Sequence, residues 1–312
     1  MKEPRTKNRS GRLDPVKEGR EDTAAVPHRV SPSLIHRVSP SRLVLLFLLL
    51  LALVAALAPV YWMFTISLKS EVDHFAVPPP WFNFTPTLEH YYEAFVTRSF
   101  GQYLITSAVV AVISTLCAVV LGTLAAYSLA RFRLPYDLDR KLSLWILSTR
   151  MFPAIVTALP LFLMMRDLRL LNTKAALIIV YTAFNLPFVV WMMRGFFDEV
   201  PRDLEEAALV DGDSRLGALV RVVLPLVAPG LAATAVFCLI VSWNEFLFAL
   251  VLTQTDASMT LPVGIAGRVT QYEIKWGVMS AAGAVAIVPI LVFAMAMQKY
   301  LVRGLSLGAV KG

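Results

Sequence analysis

Residues 206–212 read Glu-Ala-Ala-Leu-Val-Asp-Gly, and residues 222–225 read Val-Val-Leu-Pro. This polar segment lies between long apolar runs of the chain. Asp203 can cap a helix that begins at Leu204, and Glu206 follows three residues after Asp203, as in a capping box. Gly212 tolerates the left-handed backbone that ends many helices. The pattern therefore predicts a short helix that stops at a sharp glycine turn.

A second short helix is expected after the turn. Asp213 or Ser214 can accept hydrogen bonds from the first free amides of a helix that runs from Leu216 to Leu224. The predicted hairpin occupies about residues 197–225. Its local geometry suits a small knob that projects from a membrane surface.

The rest of the chain has the composition of a membrane protein. Of its 312 residues, 57% are hydrophobic and only 16% are charged, whereas soluble domains carry about 25% charged residues. A helix needs about 20 apolar residues to cross a bilayer. Six runs meet this condition; they are 43–68 and segments within 102–130, 142–165, 175–193, 226–252 and 276–298. We therefore predict an all-α, polytopic membrane domain over residues 43–312, with six transmembrane helices.

The distribution of basic residues predicts the orientation, because cytoplasmic loops carry an excess of Lys and Arg. Such residues follow the second and sixth runs: Arg131, Arg133, Arg140, Lys141, Lys299, Arg303 and Lys311. Three others oppose the trend between the third and fourth runs: Arg166, Arg169 and Lys174. The larger group places both termini and the hairpin in the cytoplasm, since six crossings return the chain to its starting side.

The first 42 residues hold much of the positive charge. They contain ten basic and five acidic residues, and ten minus five gives +5 of the total net charge of +7. The excess is therefore concentrated in a tail rather than spread over a nucleic-acid-binding surface. We expect residues 1–42 to be a basic, disordered cytoplasmic tail near anionic lipid.

The spacing within the hairpin resembles the signature loop of the membrane subunits of ATP-binding-cassette importers. That loop has Glu-Ala-Ala, three residues, Gly, nine residues, an aliphatic residue, one further residue and Leu-Pro. Val222 stands where the family usually has isoleucine, and Asp213 where it more often has alanine. The resemblance implies an ATPase-coupling site, whose members are Glu206, Ala207, Ala208, Asp211, Gly212, Leu224 and Pro225. Glu206 would make polar contacts with the ATPase, the two alanines would permit close approach, and Gly212 would make the turn.

Further motifs are similar to those of the maltose-type, carbohydrate-uptake branch of these permeases, and the likeness covers roughly residues 43–312. They are Met151-Phe152-Pro153, Leu159-Pro160, Asn185-Leu186-Pro187-Phe188, Trp243-Asn244-Glu245-Phe246 and the ending 303–312. The resemblance implies a permease that imports a sugar, oligosaccharide or polyol across a bacterial or archaeal inner membrane by alternating access. It implies four kinds of partner: two ATPase subunits, a second permease, an extracytoplasmic solute-binding protein and the carbohydrate. ATP and magnesium would bind to the partner ATPase, and this chain would carry no cofactor.

Polar residues within the apolar runs are candidates for the solute route. Asn185 falls near the middle of the fourth run, and Trp243, Asn244 and Glu245 fall in the outer half of the fifth. Ionisable groups are costly in lipid, and an aromatic ring, an amide and a carboxylate together suit a sugar. The same groups can instead link helices through hydrogen bonds. Both interpretations stay open.

Arg150 interrupts the third run. It lies about 12 Å from the cytoplasmic end of that helix, whereas Glu245 lies about 28 Å along the fifth helix. We therefore expect Arg150 to face a hydrated cavity or to snorkel, and not to pair with Glu245.

Several chemistries are not expected in this chain. It has no Gly-x-x-x-x-Gly-Lys-Ser/Thr phosphate loop, so it should not hydrolyse ATP and is not expected to be an enzyme. Cys117 and Cys238 stand alone in apolar runs, and no histidine pair has metal-ligand spacing. An ion-coupled secondary carrier is the alternative function, although such carriers usually show internal repeats and none is visible here.

The last residues, 304–312, contain three glycines at four-residue spacing. Glycine disfavours helix, so this segment is expected to be extended. The resemblance of this ending to that of the carbohydrate-uptake permeases implies, together with its apolar residues, that it docks between the ATPases; a disordered end is the alternative.

Overall fold

The computed structural model describes residues 40–267 and 274–309. Its regular elements over these ranges are α-helices, with π-helical turns at Glu93–Thr97 and Leu219–Val223 and a 3-10 turn at Pro135–Asp137. In chain order the α-helices are α1 (Pro40–Leu68), α2 (Glu71–His74), α3 (Glu89–Tyr92), α4 (Phe100–Arg131), α5 (Leu138–Thr149), α6 (Ala154–Asp167), α7 (Lys174–Glu199), α8 (Arg202–Val210), α9 (Arg215–Ala218), α10 (Leu224–Trp243), α11 (Leu247–Leu252), α12 (Leu261–Ala266) and α13 (Trp276–Ala309). The chain divides into two units, 1–53 and 54–312.

The predicted basic tail falls mostly outside the described residues, which begin at Pro40. The first helix also begins at Pro40, so residues 40–42 belong to α1 and not to the tail. Proline is tolerated at a helix start because its missing N–H has no intrahelical partner there.

The predicted membrane architecture is confirmed. Five helical segments of the described chain are long and apolar enough to cross a bilayer: Arg42–Leu68, Phe100–Arg131, Lys174–Glu199, Arg215–Trp243 and Trp276–Met295. A sixth crossing is present if the bent pair Pro135–Thr149 and Ala154–Asp167 counts as one span. The protein is therefore an all-α, multi-pass membrane protein.

The third span departs from the sequence prediction because it is not one straight helix. Its two halves, α5 and α6, meet at an angle of 92°. Pro153 lies at the N-cap of α6 with ψ of 131°, outside the helical range. Proline lacks an N–H and disfavours helical backbone in the preceding residue, which explains a break at this point.

The fifth span differs from the prediction at both ends. The second hairpin helix, α9, does not stop at Leu224, because a π-helical turn over Leu219–Val223 joins it directly to α10. Pro225 sits in the first turn of α10, just after the π turn, where its missing N–H costs little. At the other end α10 stops at Trp243, and three residues separate it from α11. The predicted helix over 226–252 is therefore broken at 244–246.

The prediction of an extended C-terminal segment is wrong for residues 304–309, since α13 continues to Ala309. Each glycine in a helix costs about 1 kcal/mol relative to alanine. A helix that is already nucleated still gains one hydrogen bond per added residue, so it can pass through isolated glycines. Residues 310–312 lie outside the described residues.

The main packing contact of the second unit lies between α4 and α7. Three small residues at four-residue spacing, Ala118, Gly122 and Ala126, mark the contacting stripe of α4. A Cβ atom added at Gly122 would lie 2.7 Å from Cβ of Val189, so only glycine allows this approach. Ala118, Ala126 and Val189 are fully buried in one core cluster. Small residues at such an interface let membrane helices gain van der Waals contact.

Candidate functional site

The hairpin that the sequence predicted is present. Gly212 has φ of +90°, in the left-handed region. The side chain of Ser214 accepts a hydrogen bond from the backbone N–H of Gly217 at 3.0 Å, so Ser214 caps α9 as expected. The predicted cap at Asp203 is wrong, because α8 begins one residue before it, at Arg202, and has Pro201 at the N-cap position. Asp203 lies in the first helical turn, where a carboxylate still stabilises the positive end of the helix dipole.

A buried ionic cluster attaches α8 to the end of α4. Glu205 is only 7% exposed. One of its carboxylate oxygens accepts a hydrogen bond from the hydroxyl of Tyr127. The other accepts one from Nε of Arg131 at 2.7 Å. We call Tyr127, Arg131 and Glu205 the Glu205 cluster.

Two arginines add side-chain to backbone bonds across the same junction. Arg131 also donates from Nη2 to the carbonyl oxygen of Val200 at 3.1 Å. Arg202 donates in the opposite direction, from Nη2 to the carbonyl oxygen of Ala130 at 3.0 Å. The orientation of α8 on the end of α4 is therefore fixed by contacts from both helices.

The sequence prediction named Glu206 as a site residue and did not identify its neighbour Glu205, which anchors the hairpin. Two adjacent residues of a helix point about 100° apart, so only one of two neighbouring glutamates can face the protein. The pattern Glu205, Ala208 and Leu209 gives an i, i+3, i+4 face, and all three residues are buried or half-buried. That spacing was the available signal that Glu205 faces inward and Glu206 outward.

The face of the hairpin opposite to Glu205 is exposed to solvent. Glu206, Ala207, Asp211 and Gly212 are exposed, whereas Ala208 is half-buried. Two large apolar side chains are also exposed here, Val210 at 87% and Leu216 at 62%.

The remaining two residues of the predicted coupling site lie elsewhere. Leu224 and Pro225 stand on the first turn of α10, about 15 Å along the helix from Ser214. Leu224 is half-buried against the α4–α7 core, and Pro225 is exposed. The structure therefore groups Glu206 to Gly212 on the hairpin and separates Leu224 and Pro225 from them.

Two of the four predicted solute residues make contacts that link helices. Asn185, on α7, donates from Nδ2 to the hydroxyl of Ser242, on α10, at 2.8 Å and is only 2% exposed. The carboxylate of Glu245 accepts from the hydroxyl of Tyr181 at 2.6 Å and from the amides of Phe248 and Ala249 at 2.8 and 3.1 Å. Glu245 therefore caps α11 and joins the break in the fifth span to α7.

The other two predicted solute residues line a cavity. Trp243 and Asn244 face an open cavity of about 240 Å³ together with residues of α12 and α13. Asn244 is exposed, and its Nδ2 donates to the carbonyl oxygen of Ile240 at 2.8 Å. Trp243 is only 5% exposed and belongs to a core cluster, so the exposed amide of Asn244 is the better placed of the two to hydrogen-bond with a sugar.

A second, larger cavity of about 450 Å³ lies at the bend between α5 and α6. Arg150 lines it and is half-buried, and Nη1 of Arg150 donates to the carbonyl oxygen of Phe184 at 3.0 Å. Of the two alternatives expected for Arg150, the structure shows the one in which the side chain faces a cavity. Two prolines that lie inside helices, Pro160 in α6 and Pro187 in α7, line the same cavity.

The sequence was compared with known proteins. Residues 118–307 match the family described as binding-protein-dependent transport system inner membrane component. The chain is 41% identical, over 83% of its length and 90% of the relative's, to the permease protein SmoH of a sulfoquinovosyl glycerol transport system from Agrobacterium fabrum. It is 36% identical, over 87% of its length and 97% of the relative's, to the trehalose/maltose transport system permease protein MalG of Thermococcus litoralis.

The fold has a similar solved structure. A chain from the crystal structure of a bacterial ATP-binding-cassette transporter involved in the import of the acidic polysaccharide alginate superposes with a TM-score of 0.70 at 25% sequence identity. The match covers 86% of the present chain and 99% of the other. Because the family model spans more than half of the chain, and relatives of similar length are more than 30% identical to it, the chain belongs to the family of inner membrane components of binding-protein-dependent transport systems.

Proposed function

We propose that the chain imports a carbohydrate into the cytoplasm as one membrane-spanning permease subunit of an ATP-driven importer. The observation that carries this proposal is the hairpin of α8 and α9, which is anchored through the Glu205 cluster and leaves Glu206 and apolar side chains exposed. The transport systems of the two relatives, for sulfoquinovosyl glycerol and for trehalose and maltose, support a carbohydrate as the solute.

Membership of the family decides between the classes of function that the sequence left open. The chain is a transport subunit and not an enzyme, and the ATPase of such an importer is a separate subunit. The ion-coupled secondary carrier is therefore set aside. ATP and magnesium would bind to the partner ATPase, because the sequence of this chain has no phosphate-binding loop.

The exposed face of the hairpin is a suitable docking surface for the ATPase. Val210 and Leu216, which are 87% and 62% exposed, give the hairpin apolar area that a partner could cover. Glu206 beside it can form a polar contact that fixes the orientation of the partner. The small Ala207 allows the two backbones to approach closely. The partners proposed are two such ATPases, a second permease and an extracytoplasmic solute-binding protein.

Orientation follows from the same surface. The ATPase binds in the cytoplasm, so the hairpin, the ends of α4 and α7 and both termini would lie on that side. The basic residues Arg131, Arg133, Arg140 and Lys141 then lie inside, in accord with the positive-inside rule. Alternating access would open the cavities of the membrane domain first outward and then inward. Trp243 and Asn244 would line part of the solute route, since they face the 240 Å³ cavity.

Co-purification with the ATPase and uptake of solute test the proposal together. Glu206→Lys reverses the charge of the exposed face without touching the Glu205 cluster. We expect ATPase recovery and uptake to fall at least about tenfold, which corresponds to about 1.4 kcal/mol of lost affinity. Glu199→Lys is the matched control, because Glu199 is an exposed glutamate near the end of α7 and lies outside the hairpin.

Both variants should reach the membrane at wild-type levels. Equal ATPase recovery and equal uptake in Glu206→Lys, Glu199→Lys and the wild type would contradict the docking role of the hairpin.

A further inference from the structure

The bend in the third span places a charged side chain deep in the membrane domain. Arg150 lies at the C-terminal end of α5 and donates to the carbonyl oxygen of Phe184. Phe184 is ten residues from the start of α7 and fifteen from its end, which places it about 15 Å and about 22 Å from the two ends of that helix. The guanidinium group is therefore near the middle of the bilayer.

A cation at this depth is costly unless something compensates for it. Within residues 40–267 and 274–309, the ion pairs of the structure do not include Arg150. Its guanidinium lies 5.9 Å from the ring centre of Phe184 and 5.4 Å from that of Phe188. These rings and one carbonyl oxygen hold the group in place, but they do not neutralise it. A guanidinium has five N–H donors, so several remain for an incoming acceptor.

The cavity beside Arg150 has the size and lining of a ligand site. Its volume of about 450 Å³ falls within the range of about 300–1,000 Å³ that is typical of small-molecule pockets. Phe152 and Phe184 give it apolar walls, against which the carbon face of a sugar ring can pack. The hydroxyls of Thr149 and Thr157 donate to carbonyl oxygens one turn back in their own helices. Their oxygen lone pairs remain able to accept hydrogen bonds from a sugar.

We propose that this cavity binds the anionic group of an acidic carbohydrate, a carboxylate or a sulfonate, through the guanidinium of Arg150. The inference rests on the proposed function and specifies its substrate class. An anion in the cavity supplies the missing compensating charge, and a planar guanidinium pairs with two oxygens of such a group at once. The volume of the cavity favours a solute over an acidic side chain of the second permease, since a single carboxylate side chain would leave most of the space empty.

A first experiment measures the electrostatic preference of the cavity without knowledge of the solute. Val156 lines the cavity and is 59% exposed. In the complete importer, with Cys117 and Cys238 replaced by alanine, Val156→Cys would be modified with an anionic sulfonatoethyl and a cationic trimethylammonioethyl methanethiosulfonate. We expect Arg150→Gln to lower the anionic-to-cationic rate ratio by about tenfold or more, as loss of a nearby unit charge in a low-dielectric site requires. Arg150→Lys should retain most of the ratio.

Arg166→Gln is the matched control, because Arg166 is exposed and pairs with Asp167 away from the cavity. It should leave the ratio at the wild-type value. An unchanged ratio in Arg150→Gln would overturn the proposal.

A second experiment measures uptake by cells that produce the whole importer. The labelled probes are glucuronate and glucose, and cellobiouronate and cellobiose, which differ within each pair by one carboxylate. We expect the wild type to take up an acidic member, and Arg150→Gln to raise its KM at least about tenfold, since a charge-assisted bidentate contact is lost. Arg150→Lys should restore part of the affinity.

Three results distinguish the inference from the proposed function. Uptake of neutral probes alone, unaffected by Arg150→Gln, would overturn the anionic site and leave the importer function intact. Loss of the second permease from purified Arg150→Gln complexes would also overturn it, because the partner of Arg150 would then be a protein carboxylate. Failure of the wild-type complex to recruit an ATPase would instead contradict the proposed function, while the labelling ratio would still decide the charge of the cavity.

Discussion

Replacing Glu205 by alanine should release α8 from the end of α4. The side chains of Arg131 and Glu205 are only 6% and 9% exposed, and their atoms are 2.7 Å apart. Removing one partner of such a buried pair leaves the other charge without compensation, which typically costs about 3–5 kcal/mol. The hydroxyl of Tyr127 loses its acceptor in the same variant. Since every 1.4 kcal/mol is a factor of ten, a loss of about 3 kcal/mol lowers the equilibrium constant for docking of α8 about 100-fold and raises the small undocked population by the same factor.

Limited trypsin digestion of membrane vesicles that expose the cytoplasmic face measures this release. Arg202 and Arg215 are the first residues of α8 and α9, on either side of the glycine turn, and we expect them to be cleaved faster when α8 undocks. Where opening and closing are fast relative to cleavage, the cleavage rate follows the open population. Glu205→Ala should therefore be cut about 100-fold faster at these sites than the wild type. Glu206→Ala is the matched control on the same helix, and a change at this exposed position should stay within about 0.5 kcal/mol.

The double variant, in which both Arg131 and Glu205 are replaced, should behave in the opposite way to Glu205→Ala. Replacing both Arg131 and Glu205 by leucine removes the uncompensated charge, so it should restore much of the protection that Glu205→Ala loses. If Glu205→Ala is cut no faster than Glu206→Ala, the Glu205 cluster does not hold the hairpin. If the double variant is cut as fast as Glu205→Ala, the cost does not come from the unpaired arginine.

Two further substitutions test the packing that surrounds the sites. Gly122→Leu should destabilise the purified protein by about 1–3 kcal/mol, as overpacking does, because its Cβ would lie 2.7 Å from Cβ of Val189. Gly101→Leu is the control and should not destabilise the protein in this way, because no atom lies within 4 Å of a Cβ added at Gly101. Equal melting temperatures for both variants would show that α4 and α7 can separate freely. Tyr181→Phe removes the hydrogen bond to the carboxylate of Glu245 and should destabilise the protein by about 1.5–3 kcal/mol, as is typical for a bond to a charged group. If this variant instead has wild-type stability but impaired uptake, the result favours a solute contact for Glu245.

The membrane map was predictable because it depends on composition alone. An apolar run such as 175–193 needs no knowledge of its neighbours to be identified as a span. The breaks at 150–153 and 244–246 were not predicted, since the length of an apolar run says nothing about whether its helix is straight. Pro153 was a visible signal for the first break. The second involves the carboxylate of Glu245, which caps α11 locally but is also bound by Tyr181, a partner 64 residues away that only folding brings close.

In the hairpin, too, the features that depend on nearby residues were predicted better than those that depend on tertiary contacts. Gly212 and Ser214 were predicted because a turn and a cap depend on the residue itself. The cap at Asp203 was misplaced because Pro201, whose φ is fixed near the value that helices require, starts α8 two residues earlier. Glu205 escaped notice because its partners, Tyr127 and Arg131, lie 78 and 74 residues away in the chain.

The passage from α9 through the π turn into α10 makes the hairpin one end of a single helical span, which can bend at the π turn, Pro225 and Pro229. This span extends from Arg215 to Trp243, 29 residues, and is therefore about 43 Å long. If the span moved as one body, a tilt of about 10° imposed at the hairpin would displace the far end by about 7 Å. That far end carries Trp243 and adjoins the break at Asn244. Movement of the hairpin by a bound partner can therefore be transmitted along this helix to Trp243 and Asn244, which line the 240 Å³ cavity.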